Sequence, residues 1–318
     1  MKPLRVATRK SALAKVQAAM VVDRIEADSQ IPCTVVGITT LGDMVLDKSL
    51  SQIGGDGVFV KELERALLDG RADIAVHSLK DLPTELPSRL RAGAILPRGD
   101  ARDVLVSRDN VHDSIAALPR GAIVGTSSLR RRSQLAAVRP DLRIVDLRGN
   151  VNTRIGKVLD GYFDAAVLAL AGLDRAGLLP DVCGGTVLSV ADMVPAVGQG
   201  ALFAQCRCDD VRSRRALAPL NDVLTATAVT AERAFLKRIG GGCAAAVGCH
   251  VALVDGMWNL DAFAGSIDGK RVLRRQWRGR VCGETELISQ AENVAGQMLD
   301  SGAAVFLAHS QSGSAVAQ

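Results

Sequence analysis

The sequence predicts an α/β protein: two similar α/β lobes followed by a small α+β domain at the C-terminus. Three observations carry this expectation. From residue 4 to about residue 200, short β-rich runs alternate with segments of helical period. Several strand ends run straight into a helix start, as at Thr8 to Ser11, Gly125 to Ser128 and Leu147 to Asn150. Beyond Gly248 the pattern changes to alternating runs joined by tight turns, closed by one helix. A chain of 318 residues is long enough for two or three domains that each bury a core.

In order, residues 4–8 read as a strand and 11–27 as a helix, with Leu13, Val16, Ala19, Met20 and Ile25 on its apolar face. Residues 34–40 form a second strand, and 58–70 a helix stopped by Gly70. Strands at 73–77 and 92–96 complete the first lobe, and Pro97-Arg98-Gly99-Asp100 reads as a hinge. The second lobe repeats the alternation. Its strands are 103–107, 122–125, 142–147 and 165–169, and its helices 129–138 and 151–160. Residues 196–200 form a glycine-punctuated loop, and 221–240 are helical. Runs at 251–254, 258–265 and 271–278 form hairpins with turns at Asp255-Gly256 and Asp268-Gly269. A helix at 284–301 closes this part, and the tail beyond it is expected to fray. The boundaries follow: domain 1 is 1–100 with 200–218, domain 2 is 101–199, and domain 3 is 219–318.

Composition excludes several classes. With 48% hydrophobic and 23% charged residues, the chain is too apolar for disorder. Aromatics are 3%, and Trp258, Trp277 and Tyr162 are its only Trp and Tyr, which argues against stacking-based nucleic acid binding. A net charge of +5 is too mild to announce nucleic acid. The longest apolar stretch, 165–173, is far short of the roughly 18–20 residues of a membrane span. Met1-Lys2-Pro3 leads straight into a strand, so no secretory start is expected. Seven scattered cysteines argue against a disulfide framework and for the reducing cytoplasm.

Polar residues concentrate where ligands bind in open α/β sheets, at the carboxyl ends of strands. Three strand–helix junctions carry hydroxyls or arginine: Thr8-Arg9-Lys10-Ser11, Thr126-Ser127-Ser128-Leu129-Arg130-Arg131, and Arg148-Gly149-Asn150 with Arg154 one turn on. Helix N-termini offer free N–H groups to anions, and arginine forks match carboxylates and phosphates. Three such junctions point to one ligand bearing several anionic groups. The run His77-Ser78-Leu79-Lys80-Asp81 follows a buried strand and puts a carboxylate among these cations. There it can stay ionised and stabilise a cationic species or move a proton. Cys243 follows three glycines, which marks an exposed loop thiol and a nucleophile or attachment point. Spacings among Cys206, Cys208, Cys243, Cys249 and His250 do not match a zinc site, so no metal is expected. Lys80 as a Schiff-base lysine for pyridoxal phosphate lacks a partner for the pyridine nitrogen.

Taken in order, these motifs resemble the porphobilinogen deaminase family. The likeness is carried by Ala7-Thr8-Arg9-Lys10-Ser11, Gly57-Val58-Phe59-Val60-Lys61, Asp73 to Asp81, Val124 to Arg131, Leu147 to Arg154, Pro195 to Gly200, and Thr230-Ala231-Glu232-Arg233 up to Cys243. The resemblance implies two periplasmic-binding-protein-like lobes with a cleft between them, and a third domain whose cysteine bears a covalent dipyrromethane cofactor. It implies that Cys243 is that cysteine and Asp81 the catalytic residue. Ser78, Lys80, Thr126, Ser127, Ser128, Arg130, Arg131 and Arg154 are then expected to hold the cofactor. Arg9, Ser11, Phe59, Arg148, Gly149, Asn150, Arg175 and Gln199 are expected to hold the substrate. The implied reaction is the deamination and head-to-tail joining of four porphobilinogen molecules into hydroxymethylbilane, in a cytoplasmic monomer without nucleic acid or membrane partners. The chain departs from the family at Leu41, Gln52, Asp56 and Ala244-Ala245-Ala246. Those departures are the support for the alternative, a non-catalytic paralogue that binds a polyanionic pyrrole or another small anion.

Overall fold

The computed structural model describes residues 2–44, 57–108, 114–179, 185–241 and 245–312. Along the chain the elements begin β1 (Leu4–Arg9), α1 (Ala12–Ser29), β2 (Cys33–Ile38), α2 (Leu41–Met44), α3 (Lys61–Leu68), β3 (Ile74–Ser78) and β4 (Leu90–Ile95). There follow β5 (Asp103–Ser107), β6 (Ile123–Gly125), α4 (Leu129–Val138), β7 (Arg143–Val145), α5 (Val151–Leu159), β8 (Ala165–Ala169), α6 (Leu170–Arg175) and β9 (Thr186–Val187). The last are β10 (Leu202–Arg207), α7 (Val211–Leu217), α8 (Val223–Ile239), β11 (Val247–Val254), β12 (Met257–Gly265), β13 (Val272–Gly279), α9 (Glu284–Asp300) and α10 (Ala303–Ser312). The chain divides into two compact units, residues 1–99 with 200–226 and residues 100–199 with 227–318.

The first unit holds a five-stranded sheet in the order β2-β1-β3-β10-β4. Strand β1 lies parallel to β2 and β3, and β10 runs antiparallel to β3 and β4. Leu4, Val6, Ile74 and Val76 face one core with α1, while Ala7 and Ala75 face another with α3. A strand buried on both sides has no polar face, which is why Val6-Ala7 and Ile74-Ala75-Val76 are apolar. Helix α1 buries Ala14, Gln17, Ala18, Val21 and Ile25. The expected face is therefore offset by about one residue, and Val16 and Met20 are about 40% exposed. Alanines one turn apart let the helix approach the sheet closely, and the longer side chains flank the contact. Helix α3 is shorter than expected, because residues 57–60 form a turn that opens on Gly57 at φ +83°. Cys206 is buried in β10, and Cys208, just past the end of the strand, is exposed.

The second unit contains a sheet built the same way, in the order β7-β6-β8-β5-β9. Strand β6 is parallel to β7 and β8, and β5 is antiparallel to β8 and β9. Residues of β5 and β8 alternate between two cores. Leu105, Ala165 and Val167 pack with Leu135 of α4, and Val104, Val106, Ala166 and Leu168 with Ile155 and Val158 of α5. The same unit carries the antiparallel sheet β11-β12-β13. Phe235, Trp258, Leu260, Leu287 and Met298 share its core. Asp255 (φ +50°) and Gly256 (φ +72°) form the two-residue turn that pairs Val254 with Met257. The second hairpin needs a longer connection, because Ser266 pairs with Arg271 through backbone hydrogen bonding and Gly269 turns inside that loop. A further helix, α10, stands where fraying was expected. Ala303, Phe306 and Leu307 recur at helical spacing and are buried. The fold is thus two α/β lobes and a small sheet-and-helix domain. Among the described residues, no helix is long and apolar enough to cross a membrane.

Candidate active site

In the first unit, the predicted residues gather at the carboxyl ends of β1 and β3. Arg9 ends β1, and its guanidinium carbon lies 4.0 Å from the centre of the Phe59 ring. The ring is fixed from behind by Gly42, where any Cβ would overlap it. Ser11 caps α1, its Oγ accepting from the Ala14 N–H at 3.3 Å. Ser78 ends β3 and donates to Oε1 of the buried Gln17 at 3.2 Å. The chain then makes a 3₁₀ turn, Leu79–Asp81. Leu79 and Leu82 are buried, the Leu79 N–H donates to the Ala201 carbonyl, and Lys80 and Asp81 stay half-buried. Arg9, Phe59, Ser78 and Asp81 line one pocket with Gln17 and His77.

His77 has a buried polar partner chain. Its Nε2 is 3.0 Å from Gln205 Oε1, and Gln205 Nε2 donates to Glu64 Oε1 at 3.0 Å. Burial pushes the imidazole pKa down to about 4, so the ring is neutral at pH 7, and burial pushes the Glu64 carboxyl up.

In the second unit, the predicted residues gather at the carboxyl ends of β6 and the strand after it. Thr126 is buried, and its Oγ1 accepts from the Ser128 N–H at 3.2 Å. Ser127 Oγ donates to the Leu147 carbonyl at 3.1 Å. Ser128 caps α4, with its Oγ facing the Arg131 N–H at 3.5 Å. Asn150 caps α5, accepting from the Thr153 N–H at 2.9 Å. Gly149 precedes it at φ +117°, and Arg154 Nε donates to the Gly149 carbonyl at 2.8 Å. Arg148 is half-buried beside that turn, and Arg175 is half-buried at the end of α6. Two of these groups, Ser128 and Asn150, are thus spent on capping helices.

Arg130 and Arg131 are 3% and 6% exposed. Both pair with Asp103, the fully buried first residue of β5. Arg130 Nη1 donates to Asp103 Oδ2 at 2.8 Å, and Arg131 Nη2 to Oδ1 at 2.7 Å. Gln199 Nε2 adds a third hydrogen bond to Asp103 Oδ1 at 2.8 Å. Burial alone would raise the Asp103 carboxyl, but the two guanidiniums hold it well below the usual carboxylate range. The loop bearing Gln199 is tied down by Glu232, which is fully buried and accepts from the Gly198 and Val251 N–H groups at 2.7 and 2.8 Å. The Nε groups of Arg130 and Arg131 are buried and have no hydrogen-bond acceptor. Sequence reasoning assigned no role to Asp103 or Glu232. The signal for Asp103 was a charge opening a strand that is otherwise apolar. Cys243, Gln52, Asp56 and Ala244 lie outside the described residues. Leu41 is exposed, and Ala245 and Ala246 are buried. Among the described residues, no cluster of His, Cys, Asp and Glu could hold a metal ion.

Residues 4–215 match the family model described as "Porphobilinogen deaminase, dipyromethane cofactor binding domain". Residues 226–299 match "Porphobilinogen deaminase, C-terminal domain". Solved structures with a similar fold include a periplasmic substrate-binding protein of an ABC transporter from Coxiella burnetii. It is 14% identical, with 72% of this chain and 96% of that chain covered, at a TM-score of 0.42. The methionine-binding protein MetQ is 15% identical, with 68% and 89% covered, at 0.43. The periplasmic domain of BvgS from Bordetella pertussis is 17% identical, with 67% of this chain but only 39% of that chain covered, at 0.37.

Proposed function

The chain belongs to the porphobilinogen deaminase family, and from that premise we propose that it is a hydroxymethylbilane synthase of tetrapyrrole biosynthesis. In the proposed reaction four porphobilinogen molecules join head to tail. Four aminomethyl C–N bonds break and release four molecules of ammonia, and three C–C bonds form between the four rings, each freeing one ring proton. Water completes the free hydroxymethyl end of the product.

The observation that carries this reading is the meeting of Asp81 with Arg9, Phe59 and Ser78 in one pocket at the strand ends. Loss of ammonia leaves a cation on the substrate methylene and its ring. The Asp81 carboxylate can stabilise that cation electrostatically and can take the ring proton. Arg9 is assigned to a substrate carboxylate, with its guanidinium resting on the Phe59 ring. Arg148, Arg154 and Arg175 are assigned to further substrate and cofactor carboxylates, with Ser11, Gly149 and Asn150 fixing the helix starts beside them.

The donor set fits a dipyrromethane, whose acid side chains suit guanidinium forks. Two buried N–H groups without acceptors, on Arg130 and Arg131, are the kind of vacancy a carboxylate fills. When bound, the dipyrromethane supplies the pyrrole ring from which the chain grows. Cys243 is the proposed attachment point, with Ser78, Lys80, Thr126, Ser127, Ser128, Arg130, Arg131 and Arg154 as its holders. Intact mass tests this. The purified chain should carry a fixed added mass that Cys243→Ser lacks. A bare chain mass after incubation with porphobilinogen would refute the assignment.

A further inference from the structure

The Arg130–Arg131–Asp103 cluster raises a question of charge. Two guanidiniums and one carboxylate leave one net positive charge in a place where side-chain exposures are 4%, 7% and 0%. Excess charge at such depth is costly unless something compensates it. The carboxylate accepts three hydrogen bonds, and its single negative charge offsets only one of the two guanidiniums. Carbonyls of Val194 and Val167 take one N–H from each arginine, at 2.7 and 2.8 Å. Donors still remain: both Nε groups are buried without acceptors. The cluster is therefore complete as a scaffold and incomplete in charge.

Its geometry is fixed from two sides. Asp103 is held by β-pairing with Ala169, and its carbonyl accepts from the Leu188 N–H at 2.8 Å. Arg130 and Arg131 sit in the first turn of α4, whose start Ser128 caps. The two guanidiniums would repel each other in a dry site, and the shared carboxylate is the anion that offsets this, with the Val194 and Val167 carbonyls beside it. We propose that Asp103 is a positioning residue for cofactor loading: it holds Arg130 and Arg131 together and leaves their unspent N–H groups and one positive charge for a single carboxylate of the ligand. This rests on the proposed function, and it adds a residue that never touches the ligand itself.

A merely structural Asp103 would cost stability alone, so the test needs a matched control. Asp73 also pairs with two arginines, Arg5 at 2.7 Å and Arg207 at 3.4 Å, at the opposite end of β1 from Arg9. Asp73→Asn, Asp103→Asn and Asp103→Glu are compared with the unsubstituted chain by melting temperature and by the fraction of chain carrying the added mass, before and after incubation with porphobilinogen. Asp103→Asn should load at least tenfold less, while Asp73→Asn melts lower yet loads normally. Asp103→Glu keeps the charge and the fold but displaces the pair, so it should load partially, with a raised KM for porphobilinogen and kcat retained on the loaded fraction. Normal loading of Asp103→Asn, or of Asp103→Glu if the first variant does not fold, overturns the proposal. If the unsubstituted chain carries no added mass, the proposed function fails, and that result is distinct from either.

Discussion

Arg9 and His77 both line the Asp81 pocket, but burial treats them differently. Arg9 stays half-buried against an aromatic face. His77 is sealed among Gln205, Glu64 and the sheet and gives up its charge. Its folded pKa of about 4 lies below the ordinary 6.5. The unfolded chain therefore binds a proton first as pH falls, and the folded state loses stability from about pH 6.5 down to about pH 4. The full difference is about 3 kcal/mol at 1.36 kcal/mol per unit. Melting temperature measured from pH 7 to pH 4 should fall more steeply for the unsubstituted chain than for His77→Gln. Equal slopes would show that His77 does not carry this dependence. Much of the candidate site was legible as a pattern, because arginines and hydroxyls at strand ends stand out in the sequence whatever their partners. Asp103 was not, since it lies 27 residues from Arg130 and 28 from Arg131 in sequence, and pairing over that distance leaves no local pattern.

Strands β5 and β8, buried on both faces, have the bounds their sequence pattern predicts, because apolar runs bounded by polar residues leave little choice of register. Helix α4 also has its predicted bounds, with Ser128 capping its start. Helix α1 was legible as a helix but not in its orientation. Its pattern allows two adjacent faces, and only packing against the sheet selects the alanine-rich one. Helix α10 was hidden by a small-residue composition that reads as a loose tail, although Ala303, Phe306 and Leu307 are buried. The caps at strand–helix junctions serve two purposes at once, ending the loop and aiming the helix N-terminus. Replacing Asn150 by alanine removes the bond to the Thr153 N–H and should cost about 1 kcal/mol. Equilibrium denaturation measures this directly, and an unchanged midpoint would show that the cap is not needed to start α5.

Across the molecule, two sheets share one construction. A central strand is flanked by parallel neighbours on both sides, and an antiparallel strand comes next in each sheet. Each central strand, β1 and β6, delivers its chain into a capped helix, and each such junction carries arginine and hydroxyl groups. A binding protein could use this arrangement for any anion. What would distinguish an enzyme is turnover that depends on the proposed acid, Asp81, and on the proposed thiol anchor, Cys243. Release of ammonia against porphobilinogen consumed separates the two directly. The account predicts one ammonia per porphobilinogen and one linear tetrapyrrole per four consumed, with at least a hundredfold slower turnover in Asp81→Ala. Porphobilinogen retained by the unsubstituted protein without ammonia release would contradict it.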